Sequence, residues 1–160
     1  MTTAVSHIPE GYTTVTPWVI SRDTRALFAF IAEAFGGDSE TIMADEGGRV
    51  EHAEIRIGDA IVMAFDAPDS WPATPAFLRL YVPDARATFA RAIAAGAAPI
   101  TEPTALFFGE IVSRVRDPLG NLYWIHQRTE NLSIEEMRRR AALPEYVAAM
   151  EYVQSARFFG

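Results

Sequence analysis

The sequence DTRALFA at residues 23–29 recurs in closely similar form as DARATFA at residues 84–90, and the two copies share the pattern D-x-R-A-x-F-A. In each copy the aspartate stands before an apolar-periodic run, which is typical of a helix N-cap followed by an amphipathic helix. Runs rich in β-branched and aromatic residues flank both copies and indicate strands. The repeated order of elements predicts two tandem βαβββ modules.

The first module is predicted over residues 10–66. Its elements are predicted to be a strand at 11–20, a helix at 26–35, and strands at 40–43, 50–57 and 60–65. Gly36-Gly37 is expected to end the helix, and Gly58-Asp59 is expected to form a hairpin turn. The proline-rich residues 67–75 indicate a connecting loop.

The second module is predicted over residues 76–128. Its elements are predicted to be a strand at 77–82, a helix at 85–95, and strands at 100–108, 111–115 and 122–127. Asp84 is the expected N-cap, Gly96 the expected helix stop, and the segment Asp117–Asn121 the expected turn before the last strand. The predicted fold class is therefore α+β.

A helical tail is predicted at residues 133–157. Ser133 and Glu136 form a capping box, and Pro144 is placed to begin a second helix. The tail carries an apolar stripe that a free appendage would not leave exposed: Ile134, Met137, Leu143, Tyr146, Val147, Met150 and Val153. The tail could cover an exposed face of its own domain or clasp a second subunit. We expect a homodimer in which the tail contributes to the interface or caps the mouth of the cavity.

Composition excludes several classes of protein. The chain of 160 residues has no cysteine, and all 14 of its basic residues are arginine. Disulfides, thiolate metal sites and a P-loop or Schiff-base lysine are excluded. The net charge of −7 argues against nucleic acid as the partner. No signal peptide or membrane-length apolar run is evident, so a cytoplasmic protein without a membrane partner is expected.

Three segments carry a resemblance to a known family: HAEIRIGDAIVMAFD at 52–66, LYVPDARATFARAIAAGA at 80–97 and SRVRDPLGNLYWI at 113–125. With the two βαβββ modules, they resemble the vicinal oxygen chelate superfamily of glyoxalases, bleomycin-resistance proteins and extradiol dioxygenases, and within it the PhnB-like branch. The resemblance covers about residues 11–128 and implies curved mixed sheets around a cavity. The length of the chain predicts one domain over residues 1–160. Members range from metal-dependent isomerases to drug-binding proteins, so the fold leaves the function open.

The resemblance also identifies the positions at which metal-dependent members hold a divalent ion. They correspond here to Thr16 on the first strand, Val62 or Met63 on the fourth, Phe77 on the fifth and Trp124 on the eighth. None of these residues is a histidine or a carboxylate, which are the usual oxygen and imidazole ligands of such an ion. We therefore expect no metal at that centre, and no other cofactor.

His52 and Glu54 form an H-x-E pair on the predicted third strand. Alternation along a strand places them with Arg56 on one face, while Ala53, Ile55 and Ile57 face the helix. The polar face could bind a ligand or supply a general base. It is equally consistent with a half-exposed strand face that has no chemical role.

Alternation also groups aromatic and polar residues in the second module. The candidate ligand-binding residues of both modules are Thr16, Trp18, His52, Glu54, Arg56, Phe77, Arg79, Tyr81, Trp124 and His126. Additional rings at Phe65, Trp71, Phe107 and Phe108 are expected mainly to pack in the core or in loops. An apolar cavity with a few polar anchors is the usual small-molecule site of such an architecture.

The sequence favours a metal-free protein that binds a small aromatic or cationic molecule, as antibiotic-binding members of the family do. The cationic preference comes only from the acidic net charge. One alternative is a glyoxalase-like, lyase or isomerase enzyme, with His52 or Glu54 as base or with a metal held by His52, Glu54 and His126. Another is a dimerising scaffold without a ligand.

Overall fold

The structure, a computed structural model, describes residues 5–158 and divides into two compact units. Unit one ends at Pro75 and unit two begins at Ala76. The elements of unit one are β1 (Trp18–Ser21), α1 (Thr24–Phe35), β2 (Asp38–Ala44), β3 (Val50–Ile57) and β4 (Ala60–Asp66). Those of unit two are β5 (Phe77–Tyr81), α2 (Ala85–Ala94), β6 (Ala98–Leu106), β7 (Glu110–Arg116), β8 (Leu122–Arg128), α3 (Ile134–Ala141) and α4 (Pro144–Gln154).

Within residues 5–158 the strands form two four-stranded sheets with the same topology. The order is β1-β4-β3-β2 in unit one and β5-β8-β7-β6 in unit two. The first strand of each unit pairs in parallel with the last, and the other pairings are antiparallel. The predicted α+β class with two βαβββ modules is confirmed.

The two repeated aspartates cap their helices as predicted. Asp23 accepts a hydrogen bond from the amide of Ala26 at 2.9 Å, and Asp84 accepts one from the amide of Ala87 at 2.9 Å. Each bond satisfies one of the amides that the first turn of a helix leaves without a partner. The sequence repeat therefore reflects a repeated helix start.

The register of β3 is as predicted. Ala53 and Ile55 are buried on the side of α1, whereas His52, Glu54 and Arg56 are half-buried. A Cβ atom at Gly37 would lie 2.8 Å from Ile55 and 2.9 Å from Ile31 of α1, so the helix packs closely on this side of the strand. The three polar side chains therefore share the opposite face of the sheet.

The predicted first strand was wrong at its beginning, because β1 starts at Trp18 rather than at residue 11. Pro17 has no N–H to donate to a sheet, and Gly11 has a φ of 81° that a strand does not allow. The hydroxyl of Thr16 donates to the carbonyl of Thr13 at 3.3 Å. Thr16 is therefore not a residue of the first strand.

The sixth strand, β6, lies two residues earlier than predicted, at Ala98–Leu106 rather than at 100–108. It ends at Leu106, and Phe107 and Phe108 lie in the turn that leads to β7. Gly109 makes this turn possible with a φ of 80°, and its carbonyl accepts a hydrogen bond from the amide of Thr129 at 2.9 Å. Phe108 packs beneath the tail rather than along the strand.

The tail docks on its own unit through a small part of the predicted stripe. Val153 of α4 is buried against Leu106 and Val112, whereas Ile134 and Val147 remain exposed. Val112 pairs with His126 across β7 and β8, so α4 covers the sheet face that also carries His126. None of the helices in the described part of the chain is long and apolar enough to cross a bilayer.

A buried carboxylate organises the turn between β7 and β8. Asp117 accepts hydrogen bonds from the amides of Leu119 and Asn121 at 2.9 and 2.8 Å, from the side chain of Asn121 at 2.8 Å and from the hydroxyl of Tyr123 at 3.1 Å. Asn121 in turn accepts a hydrogen bond from the amide of Ala76, just before β5, at 2.9 Å. The turn thus links the start of β8 to the start of β5, its parallel partner.

Replacing Asp117 by alanine should lower the free energy of unfolding by about 4 kcal/mol, because it leaves several buried donors without an acceptor. Tyr123→Phe, which removes one donor from the same network, is the matched control and should cost about 1 kcal/mol. Urea denaturation of the three proteins measures the difference. Equal losses in the two variants would contradict the central role given to the carboxylate.

Candidate functional site

Strand pairing in unit two gathers the predicted residues on one face of the sheet. Arg79 pairs with Trp124 and Tyr81 pairs with His126 across β5 and β8. Alternation places Phe77 on the same face, and on the opposite face Ile125 is buried on the side of α2. We call the face that carries Trp124 and His126 the site face of unit two.

A polar cluster surrounds His126 on this face. His126 Nδ1 lies 2.7 Å from Glu110 Oε2 and 3.0 Å from Arg79 Nη2. Arg79 Nη2 also donates to the hydroxyl of Tyr81 at 2.7 Å, and this hydroxyl donates to Glu110 Oε1 at 3.3 Å. We assign the Nδ1 proton to the hydrogen bond with Glu110, because a carboxylate is the stronger acceptor and arginine cannot accept.

That tautomer leaves the other ring nitrogen of His126 as a bare acceptor. His126 is 4% exposed, and its Nε2 has no hydrogen-bond partner in the described part of the chain. Burial lowers the pKa of His126, although the hydrogen bond from its ring to Glu110 opposes this shift. The imidazole is therefore neutral at pH 7.

Aromatic rings form the apolar part of the site face. Trp124 stacks on His126 with centroids 6.5 Å apart, and Phe158, beyond the end of α4, stacks on Trp124 at 6.0 Å. Phe158 also meets Phe77 edge to face at 6.0 Å. A cavity of about 220 Å³ opens here and is lined by Phe77, Leu78, Arg79 and Trp124.

Sequence reasoning did not identify Glu110 or Arg114 as residues of the site. Arg114 pairs with Trp124 across β7 and β8, and its guanidinium lies 4.5 Å from the centre of the indole ring. This distance is typical of a cation–π contact. The alternation of Glu110, Val112, Arg114 and Arg116 along one strand is the signal that could have placed them on one face.

In unit one the predicted H-x-E pair makes direct contact. His52 Nε2 lies 2.8 Å from Glu54 Oε1. Hydrogen bonds from Tyr12 and then from His52 hold the pKa of Glu54 below its usual range, although burial opposes the shift. Arg56 reaches the carbonyl of Gly11 at 3.5 Å, so the polar face of β3 also holds the segment before β1.

Rings continue this face along unit one. Trp18 lies edge to face with His52 at 6.2 Å and with Phe65 at 5.8 Å, and Phe65 meets Trp71 in the same way at 6.0 Å. Trp18, His52 and Glu54 thus lie together on this face. Thr16 makes no contact of this kind, because its hydroxyl is taken by the loop before β1.

The residues at the family's metal positions do not fit a divalent ion. In unit one Trp18 pairs with Met63, and in unit two Arg79 pairs with Trp124 and Phe77 with Leu122. Indole, phenyl and thioether groups are not donors for a hard divalent ion. Among residues 5–158 no three His, Asp or Glu side chains form a group that could hold a metal.

The model of the Glyoxalase/Bleomycin resistance protein/Dioxygenase superfamily matches residues 11–125. The chain therefore belongs to this superfamily, as its two βαβββ modules and their topology indicate. The predicted superfamily is confirmed, whereas the PhnB-like branch stays a prediction.

Individual relatives are distant. Mb0911c, an uncharacterized protein of Mycobacterium bovis, is 26% identical over 135 residues, which cover 78% of this chain and 89% of that protein. TioX from Micromonospora sp. ML1 is 19% identical with a TM-score of 0.54. The match covers 76% of this chain and 100% of TioX. TnmS3, an antibiotic binding protein from Streptomyces sp. CB03234, is 23% identical with a TM-score of 0.58 and covers 80% of this chain and 100% of TnmS3. The two structures establish similarity of fold.

The burial of His126 predicts a pH-dependent stability. Its pKa in the folded state lies below the ordinary value of 6.5, so the unfolded chain binds this proton more readily. The contribution of neutral His126 is fully present above pH 6.5 and is lost as the pH falls below it. Carboxyl groups whose pKa is lowered, such as that of Glu54, change the free energy of unfolding only below pH 4.5, their ordinary pKa.

The free energy of unfolding should therefore decrease between pH 6.5 and 4.5 in the native sequence and change less in His126→Gln. Urea denaturation at several pH values across this interval measures both slopes. Equal slopes would contradict the assignment of a buried neutral imidazole.

Proposed function

We propose that this protein binds a small planar aromatic molecule on the site face of unit two and holds it without transforming it. The observation that carries the proposal is the cavity of about 220 Å³ lined by Phe77, Leu78, Arg79 and Trp124. It offers a flat apolar wall with one charged group at its side, which is the usual composition of a small-molecule site.

Exposure of aromatic side chains supports this proposal. Phe77 is 52% exposed and Tyr81 is 60% exposed, and both lie on the site face beside the half-buried Trp124. Clustered exposed rings are uncommon on a soluble surface without a binding role. Stacking on such rings contributes roughly 0.5–1.5 kcal/mol for each pair beyond the burial of apolar area.

Sequestration is the mode of action that we favour. The residues at the family's metal positions cannot hold a metal, and no step of the proposed function runs through one. The antibiotic binding protein TnmS3 has the same fold, which is compatible with a holding role. The homodimer, the cytoplasmic location and the absence of a nucleic-acid partner stay predictions.

A metal-free enzyme is the second candidate, and one contact favours it. His52 and Glu54 lie 2.8 Å apart beside the exposed ring of Trp18, so that an imidazole oriented by a carboxylate faces an aromatic surface. Such a pair could act as a general base. Conversion of a bound compound that is lost in His52→Gln would favour this candidate over sequestration.

Trp124→Ala should weaken the binding of a planar aromatic compound by about tenfold, because it removes the largest ring of the cavity wall. Naphthamide, a neutral bicyclic amide, is a suitable probe, and isothermal titration calorimetry measures its dissociation constant. Trp71→Ala, which removes an indole from unit one, is the matched control and should bind as the native protein does. Equal affinity of the Trp124 variant and the native protein would contradict this site.

A further inference from the structure

Two arginines on the site face of unit two have no acidic partner among residues 5–158. Arg114 and Arg116 alternate along β7 and therefore point to the side that carries Trp124. Among residues 5–158 the carboxylates that form ion pairs do so with other cations, and neither arginine is one of these. The face thus holds two cations without a counter-charge in an otherwise acidic protein.

Arg114 is an unusual case because it is buried as well as unpaired. It is 9% exposed, its Nε has no hydrogen-bond acceptor in the described chain, and burial lowers the pKa of its guanidinium. A buried cation is costly unless an anion or several strong acceptors surround it. The side chain is therefore poorly satisfied by the protein alone.

The last turn of α4 and the segment after it supply one carbonyl acceptor to each of these arginines. Arg114 Nη1 donates to the carbonyl of Val153 at 2.6 Å, and Arg116 Nη2 donates to the carbonyl of Phe158. The ring of Phe158 lies 5.6 Å from the Arg114 guanidinium and stacks on Trp124. One residue of the tail thus presents a flat ring to Trp124 and an oxygen to Arg116.

The Phe158 ring and the Phe158 carbonyl together resemble a small aromatic ligand that carries an oxygen acceptor. The tail lies outside residues 11–125, over which the superfamily is matched, so it is an addition to the common domain. A carbonyl is a neutral acceptor, whereas a carboxylate in its place would also balance the guanidinium charge and could accept two parallel N–H bonds. An anionic aromatic molecule would therefore satisfy the two arginines better than the tail does.

We infer that Phe158 is a displaceable occupant of the binding site, and that the molecule which replaces it is a planar aromatic carboxylate. This inference rests on the proposed function and names its ligand class. The ring takes the place of the Phe158 ring on Trp124, and the carboxylate takes the place of the Phe158 carbonyl at Arg116 and approaches Arg114. Arg79, which lines the cavity and is only half-buried by its neighbours, adds a third cation.

The proposed ligand is an anion, whereas the net charge of the chain favours a cation. The total of −7 is spread over the whole sequence, whereas the local charge at the site is set by Arg79, Arg114 and Arg116 against Glu110. Interactions between exposed charges decay over about 10 Å in salt, so the nearest groups dominate recognition. The site face selects for an anion.

The test compares naphthoate with naphthamide, which share a ring system and differ in charge. Isothermal titration calorimetry gives the affinity of each compound for the native protein, Phe158→Ala, Phe158→Tyr and Arg116→Gln. Phe158→Ala should bind naphthoate about tenfold more tightly than the native protein, because the ligand no longer competes with a tethered ring. Phe158→Tyr keeps the ring and should bind as the native protein does.

Recognition of the anion is measured in the same series. Naphthoate should bind about tenfold more tightly than naphthamide, and Arg116→Gln should reduce this preference severalfold. Circular dichroism and the melting temperature show that each variant is folded. The indole N–H signal of Trp124 in a two-dimensional NMR spectrum should shift both on the Phe158→Ala change and on addition of naphthoate, because the same ring is involved.

The results distinguish a wrong ligand class, or a Phe158 that is not displaced, from a failure of the proposed binding function. Binding of both compounds with equal affinity would overturn the anionic ligand class, and equal binding by Phe158→Ala and the native protein would overturn displacement. Failure of both compounds to bind either the native protein or Phe158→Ala would instead overturn the proposed function of unit two. A Trp124 signal that is unchanged in Phe158→Ala would overturn the stacking on which displacement depends.

Discussion

Parallel pairing between the first and last strands is the constraint on which each unit depends. In both units an amide of the last strand donates to the carbonyl just before the first strand: Met63 to Pro17 and Leu122 to Ala76, each at 2.9 Å. Parallel neighbours cannot be joined by a tight turn, so a helix and two further strands must lie between them in sequence. The same pairing brings Arg79 and Trp124, which are far apart in sequence, side by side.

Polar side chains at strand ends hold these pairs in place. Asp66, at the end of β4, accepts hydrogen bonds from the amides of Thr24 at 2.7 Å and Val50 at 2.9 Å. Burial acts to raise the pKa of this carboxyl, but the bonds from Val50 and Thr24, with the charge of Arg49, keep it below its ordinary value. Asn121 has the corresponding role before β5 through its bond to Ala76. The faces that carry the candidate sites are therefore built on rigid elements.

Local patterns predicted most of the fold, because caps, turns and alternation act over a few residues. The aspartate caps, the hairpin at Gly58 and the full extent of β3 followed from such patterns. The start of β1 did not follow, because a run of threonine and valine favours a strand. Pro17 opposes a strand there only because it cannot donate a hydrogen bond to the partner strand. Propensity was overridden there by the requirement for ladder hydrogen bonds.

The site could be predicted only in part. Contacts within one strand, such as His52 with Glu54, follow from a period of two. Glu110 and Arg114 reach their partners across β7 and β8, and this register is set by the turn at Asp117 rather than by either strand. The contact of Phe158 with Trp124 depends on the path of the chain after α4, for which the local sequence carries no signal.

The short tether of Phe158 has a consequence for the concentrations at which the site responds. Only three residues separate this ring from Gln154, the last residue of α4, so the ring samples a small volume around Trp124. Short tethers correspond to effective concentrations in the range of about millimolar. The tethered ring therefore stays in place when its contacts together contribute more than about 4 kcal/mol, and its occupancy is the same in dilute and concentrated protein. A ligand must exceed a threshold concentration before it displaces the Phe158 ring from Trp124. The residues between α4 and Phe158 set this concentration independently of the two sheets.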